Sequence, residues 1–118
     1  MRPLVVCLCA EWCDSCREYR ATFAALAAQF ADSADFAWVD IEDEADALGD
    51  LEVENFPTLL IADAGGPRFL GPVTPQAGTA ERLVRGVLAG ELAVTGDGDA
   101  AERVRALLAG RDRAGGAA

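Results

Sequence analysis

The chain has 118 residues, 52% of them hydrophobic and 25% charged, enough for one domain with a real core. A formal charge of −10 argues against a phosphate-backbone partner, which needs clustered cations, and no apolar run is long enough for a membrane span. Histidine is absent, which excludes Ser-His-Asp and Cys-His catalysis and any histidine metal ligand; lysine is absent too, so every cation is an arginine.

Leu4 to Cys9 is short, apolar and β-branched, the pattern of a buried parallel strand. Met1-Arg2-Pro3 ahead of it imitates the start of a signal peptide, but cleavage near Ala10 would remove that core strand, so the expected setting is cytoplasmic. In that compartment a C-x-x-C serves catalysis or metal binding rather than acting as a staple. Residues 14–31 predict a helix, because Cys16, Tyr19, Phe23, Leu26 and Phe30 recur at steps of three and four and draw one apolar face. A loop at 32–35 leads to a second buried strand, Phe36 to Ile41. Glu42 to Gly49 reads as a short helix ended by Gly49, and the acidic run from Asp40 to Glu54 as a solvated face.

Thr58 to Ala62 predicts a third strand, 63–67 a turn, and Arg68 to Leu70 a short strand closing a hairpin. Thr79 is the expected N-cap of a helix with Leu83, Val84, Val87 and Leu88 inward, ended by Gly90. The order βαβ(α)ββα is that of an α/β fold with a mixed sheet and helices on both faces. This domain is assigned to residues 1–92. Residues 93–118 form a C-terminal extension: a linker at Gly96-Asp97-Gly98-Asp99, then a short amphipathic helix with Ala101, Val104, Leu107 and Leu108 on one face, then a frayed end from Arg111. That helix is expected to cover bare sheet surface; the other reading is a partner or dimer contact, making the protein a monomer or a weak dimer.

The chemistry gathers at Ala10-Glu11-Trp12-Cys13-Asp14-Ser15-Cys16-Arg17. Cys16 lies on the apolar face of the first helix and points toward the core. Cys13 sits at the first turn, where backbone N–H groups lack partners and the helix dipole favours an anion. Their roles are therefore unequal: Cys13 is the exposed attacker and Cys16 the sheltered thiol that resolves a mixed disulfide. Glu11 and Asp14 put negative charge beside Cys13 and oppose the helix start, although Asp14 also suits a helix N-terminus. Cys7 and Cys9, two apart on one strand, share a face. Both read as small buried hydrophobes; the sharper alternative is a third thiol that traps Cys16 under oxidation. The order C-x-C-x3-C-x2-C also admits zinc or an iron–sulfur cluster, but an apolar strand is a poor metal loop, so no metal site is assigned.

Trp12-Cys13-Asp14-Ser15-Cys16 resembles the WCxxC motif of thioredoxin-family oxidoreductases, and Phe56-Pro57-Thr58-Leu59-Leu60-Ile61 resembles that family's cis-proline strand start, at the separation the fold requires. The resemblance covers roughly residues 3 to 90. It implies a thioredoxin-like fold, with Trp12 lining the active-site surface and Pro57 against the cysteine pair. The backbone of Phe56 is then free to pair with a bound peptide strand. It also implies departures. Cys7 stands where many members keep a buried aspartate, and Trp38 where a lysine often sits, so the proton route must differ, through water or Glu11. Asn55 stands where glycine is common. Members often carry a strand and helix before the first strand read here; this chain has an extra helix at its other end.

The expected function is thus a thiol–disulfide oxidoreductase that reduces protein disulfides through Cys13 and Cys16. It needs no cofactor and takes electrons from a thioredoxin-reductase-like donor. The competing class is a thioredoxin-fold adaptor whose cysteines do not turn over.

Overall fold

The computed structural model describes residues 2–10, 13–44, 57–74, 76–95 and 99–116, with side chains at 99, 100 and 110–116 excepted. Chain order is β1 (Leu4–Cys9), α1 (Asp14–Gln29), β2 (Asp35–Asp40), β3 (Thr58–Asp63), β4 (Gly66–Pro72), α2 (Ala77–Leu88) and α3 (Asp99–Gly116). The strands form one sheet in the order β2-β1-β3-β4. β1 runs parallel to β2 and antiparallel to β3, which pairs antiparallel with β4. This is the expected mixed α/β sheet.

Side chains alternate across a strand, so the sheet builds two cores. On one face Val5, Cys7, Cys9, Leu59 and Ile61 meet Cys16, Tyr19, Phe23 and Leu26 of α1 and Ala80, Val84 and Val87 of α2. Phe23 inserts edge-on against two β2 rings, with centroids 5.7 Å from Phe36 and 5.9 Å from Trp38. On the other face Val6, Leu8, Val39 and Leu60 pack against Val104 of α3, with Leu107 and Leu108 at the margin. The C-terminal helix therefore covers a sheet face whose strands are apolar on both sides.

Several element ends differ from the sequence reading. α2 begins at Ala77 behind Gln76, so Thr79 is not its cap. The Thr79 hydroxyl instead pairs with that of Thr74. The α2 stripe runs through Ala80, Val84 and Val87, which leaves Leu88, one step further round the helix, 40% exposed. Gly90 does end α2: its φ of +73° places it in the left-handed region, and Gly90 N–H bonds Val87 O while Glu91 N–H bonds Gly86 O. That pair of bonds is a Schellman closure, and it is what requires glycine there. α3 continues to Gly116, past the point where the sequence pattern ends; its alanines and arginines are good helix formers. Residues 41–44 form a turn in which Asp40 Oδ1 accepts from the N–H groups of Glu42 and Asp43, at 2.8 and 3.1 Å. The rest of the short helix expected at 42–49 lies outside the described residues. Among the described residues no helix is long and apolar enough to cross a membrane.

Candidate active site

The site forms where β1 hands over to α1. Cys13 is the N-cap of α1, with extended backbone (φ −86°, ψ 119°) and no side-chain capping bond. Its N–H donates to Ala10 O and its carbonyl accepts from Arg17 N–H, both at 3.1 Å. The side chain is half-buried and its thiol is free. The helix starts at Asp14, so Cys16 is its third residue. N-cap and third-residue side chains lie on the same side of a helix start, as capping boxes exploit. Asp14 forms an ion pair with Arg17 one turn on, so its charge beside Cys13 is countered.

Cys16 is 1% exposed and lines a cleft of about 510 Å³ with Ala10, Arg17, Arg20 and Trp38. The Arg20 guanidinium lies over the Trp38 ring, 4.8 Å from its centroid, so the cleft has a cationic and aromatic wall.

The partner of Cys16 is the main departure from the sequence reading. Cys16 is bonded to Cys9, not to Cys13. The physical reason is the closeness of the start of α1 to the end of β1, where Cys13 N–H bonds Ala10 O. With the first turn of α1 beside the last residue of β1, the Cys9 and Cys16 Cα atoms are 5.8 Å apart, inside disulfide reach. Of the two readings left open for Cys7 and Cys9, burial as inert hydrophobes holds for Cys7 only. Cys7 is a free, fully buried thiol with its Sγ 3.5 Å from Cys9 Sγ. Burial, opposed weakly by the charge of Arg20, pushes its thiol up to about 12, so it stays protonated at neutral pH. The signal for Cys9 was present in the sequence as the alternative that a third thiol traps Cys16, but nothing local distinguishes Cys9 from Cys7 in that role.

A second feature escaped sequence reasoning. The Tyr19 hydroxyl is buried with no hydrogen-bond partner among the described residues. Burial, reinforced by the neighbouring Cys7, pushes its phenol up to about 12. Tyr19 and Cys7 belong to the same buried core cluster as Cys9 and Cys16.

Pro57 is fully buried just before β3, and its carbonyl accepts from Val73 N–H at 3.0 Å. Since Thr58 pairs with Leu8, Pro57 lies at the end of β1 that carries Cys9. Trp38 pairs with Cys7 across β1 and β2. Glu11, Trp12, Asn55 and Phe56 lie outside the described residues. Among the described residues no cluster of three or more cysteine, aspartate or glutamate side chains is placed to hold a metal ion.

Residues 1–83 match the thioredoxin family model. A thioredoxin from Borreliella burgdorferi is 31% identical over 65 residues, a stretch covering 55% of this chain and 56% of that protein. The match thus spans little more than half of the relative's length. Among solved structures, thioredoxin from Trypanosoma brucei brucei superposes with a TM-score of 0.65 at 22% identity, over 75% of this chain and 76% of that one. Fasciola hepatica thioredoxin does so at 0.60 and 24%, over 76% and 81%. At such identities the structural likeness speaks to the fold alone, and it is the same mixed sheet. With the family model matched over most of the length, this chain belongs to the thioredoxin family.

Proposed function

We propose that the protein is a thiol–disulfide oxidoreductase that reduces protein disulfides through Cys13 and Cys16. The observation that carries this reading is the unequal setting of two cysteines on one helix start. One is a half-buried free thiol at the N-cap; the other is 1% exposed and already engaged in a disulfide.

In the reduced protein Cys13 attacks a substrate disulfide as its thiolate, the nucleophilic form of a cysteine. One substrate sulfur leaves as thiolate and a mixed disulfide forms on Cys13. Cys16 then attacks the Cys13 sulfur, the second substrate sulfur leaves, and Cys13–Cys16 is oxidised. The missing buried carboxylate implies that water or Glu11 carries the Cys16 proton. Pro57, bordering the cysteine end of β1, supports the reading that a substrate strand docks beside Phe56 with Trp12 lining the contact. We further propose residues 1–92 as the exchanging domain and 93–118 as its C-terminal extension, acting in the cytoplasm as a monomer or weak dimer. A thioredoxin-reductase-like donor then restores the dithiol.

A second reading is favoured by the Cys9–Cys16 bond itself: a chain whose Cys16 is locked is an adaptor that does not turn over. Insulin-disulfide reduction with dithiothreitol separates the two. The oxidoreductase accelerates precipitation and Cys13→Ser abolishes the effect; no acceleration by the wild type sustains the adaptor.

A further inference from the structure

The four cysteines form a graded series from core to surface. Cys7 and Cys9 are 0% exposed, Cys16 is 1% exposed, and Cys13 is half-buried. Cys16 is shared. It is bonded to Cys9 at the end of β1, and it is the third residue of the helix whose N-cap is Cys13. Cys9 is bonded to this central sulfur, and an N-cap side chain lies on the same side of a helix start as that of the third helical residue, which makes Cys13 its second neighbour. Cys7 borders the array, with its sulfur 3.5 Å from that of Cys9. While Cys9 is bonded it carries no hydrogen, so Cys7 is the donor of that contact.

Resting on the reading of Cys13 and Cys16 as the exchanging pair, we propose that Cys9 is a third redox residue. It holds Cys16 in a buried disulfide that is an isomer of Cys13–Cys16 and interconverts with it by internal exchange. In one direction the Cys9 thiolate attacks Cys16 Sγ. The Cys9–Cys16 bond forms, the Cys13–Cys16 bond breaks, and the electron pair leaves on Cys13. In the other direction the Cys13 thiolate attacks Cys16 Sγ and the pair leaves on Cys9. There the Cys7 S–H hydrogen-bonds the new thiolate until it gains a proton. Two electrons and one proton are redistributed among three sulfurs, so no external oxidant or reductant enters.

The consequence is specific. The oxidised protein keeps its disulfide out of solvent and presents one free thiol, Cys13. The buried bond is opened through Cys13 rather than by direct attack, because both of its sulfurs belong to residues at or below 1% exposure. Burial of Cys7, whose thiol is pushed up to about 12, keeps it a donor and not a competing nucleophile at neutral pH.

The sequence supplies its own test. Cleavage after Glu11 and before Asp14 separates the fragment with Cys7 and Cys9 from that with Cys13 and from that with Cys16. The full chain is oxidised with diamide, alkylated at neutral pH, and mapped without reduction. The expected result joins the Cys9 fragment to the Cys16 fragment with the alkyl group on Cys13, and Cys13→Ser retains the same link. Recovery of the Cys13–Cys16 link alone, with no internal disulfide in Cys13→Ser, overturns the proposal. In a second arm, opening of the Cys9–Cys16 bond by dithiothreitol is followed in wild type and Cys13→Ser. The variant is expected to be slower by about tenfold or more, because it lacks the intramolecular attack; equal rates overturn the exchange step. A protein that reduces insulin but yields only the Cys13–Cys16 link keeps its proposed function and loses the third redox residue. A protein that yields the buried link and the rate difference but leaves insulin untouched loses the function and keeps the relay. Cys9→Ala, a small-for-small change, is expected to form Cys13–Cys16 only, and a Cys9→Ala protein with an oxidised map identical to wild type counts against the relay.

Discussion

Tyr19 and Cys7 lie close enough in the core between α1 and β1 that a charge on Cys7 is felt at the Tyr19 phenol. The chain has no histidine, and the Tyr19 hydroxyl is unpartnered among the described residues. A buried polar group without a hydrogen bond costs about 1–3 kcal/mol. Tyr19→Phe is therefore expected to be neutral or to stabilise by about 1 kcal/mol, against the usual loss for core truncation. Urea unfolding at neutral pH checks this; an appreciable loss with an unchanged m-value would show that the hydroxyl is satisfied.

Alkaline pH is expected to destabilise the fold through the same two groups. The Cys7 thiol rises from 9.0 to about 12 and the Tyr19 phenol from 10.0 to about 12, by burial first and then, for Tyr19, by Cys7. Across this window the unfolded chain has released protons that the folded chain keeps. Stability contributed by these groups is complete below the ordinary values and is lost as pH rises toward 12. Each group contributes a negative slope of up to about 1.4 kcal/mol per pH unit. Denaturation midpoints of Cys13→Ser, chosen to suppress disulfide reshuffling, should fall between about pH 8 and about pH 10.5. Adding Cys7→Ala should flatten that fall. An equal fall in both proteins would assign the loss elsewhere.

Asp63 ties three elements together. Arg68 Nε donates to both of its carboxylate oxygens at 3.0 Å, the Gly65 N–H donates to Oδ1 at 2.9 Å, and Arg105 of α3 donates to its backbone carbonyl at 3.0 Å. Arg68 reaches on to Leu92 O at 3.1 Å, beyond α2. Burial alone would raise the Asp63 carboxyl; the hydrogen bonds from Arg68 and Gly65 and the charges of Arg68 and Arg105 outweigh it and hold it below 3.8. Asp63→Asn is expected to cost about 1–3 kcal/mol at neutral pH. Because a lowered carboxyl stabilises above its ordinary value and loses that contribution as pH falls through the folded one, the gap between wild type and variant should shrink in acid. A gap that does not change with pH would remove the charge from the explanation.

Val104 is the fully buried contact of α3 with the second core. Val104→Ala is expected to cost about 2 kcal/mol through lost burial and a residual cavity. Val104→Asp should detach the helix and expose Leu8, Val39 and Leu60. Hydrogen exchange over α3 and the opposing strands reads this directly; unchanged protection in Val104→Asp would mean that the helix contributes little to that face.

The Cys9–Cys16 bond closes a loop with a sequence separation of 7. On the chain-entropy account a loop this short stabilises by about 2 kcal/mol. Full reduction of the wild type should lower the urea midpoint accordingly, while Cys9→Ala, which lacks the bond, should respond less. Equal responses would place the stabilising disulfide at Cys13–Cys16.

How much was legible followed from the range of each interaction. The apolar steps of Cys16, Tyr19, Phe23 and Leu26 announced α1 and its inward face, and alternation on β1 put Cys7 and Cys9 on one side, because a helix or strand presents its faces by local geometry alone. The stripe through Val104, Leu107 and Leu108 announced that α3 would pack. The early start of α2 was hidden, since an extended Gln76 precedes the helix with no capping side chain to mark it. The Tyr19 orphan was hidden too, because periodicity counts tyrosine as apolar and cannot see what its hydroxyl will meet.

Sequence alone determined the character of this protein: an α/β chain of strongly negative charge, with no histidine or lysine and a cysteine pair at the start of a helix. Which sulfur Cys16 holds was decided only in three dimensions. Spacing along a chain ranks partners by separation, whereas a disulfide forms with whatever sulfur the fold brings within reach, and the packing of α1 on the end of β1 brings Cys9 there.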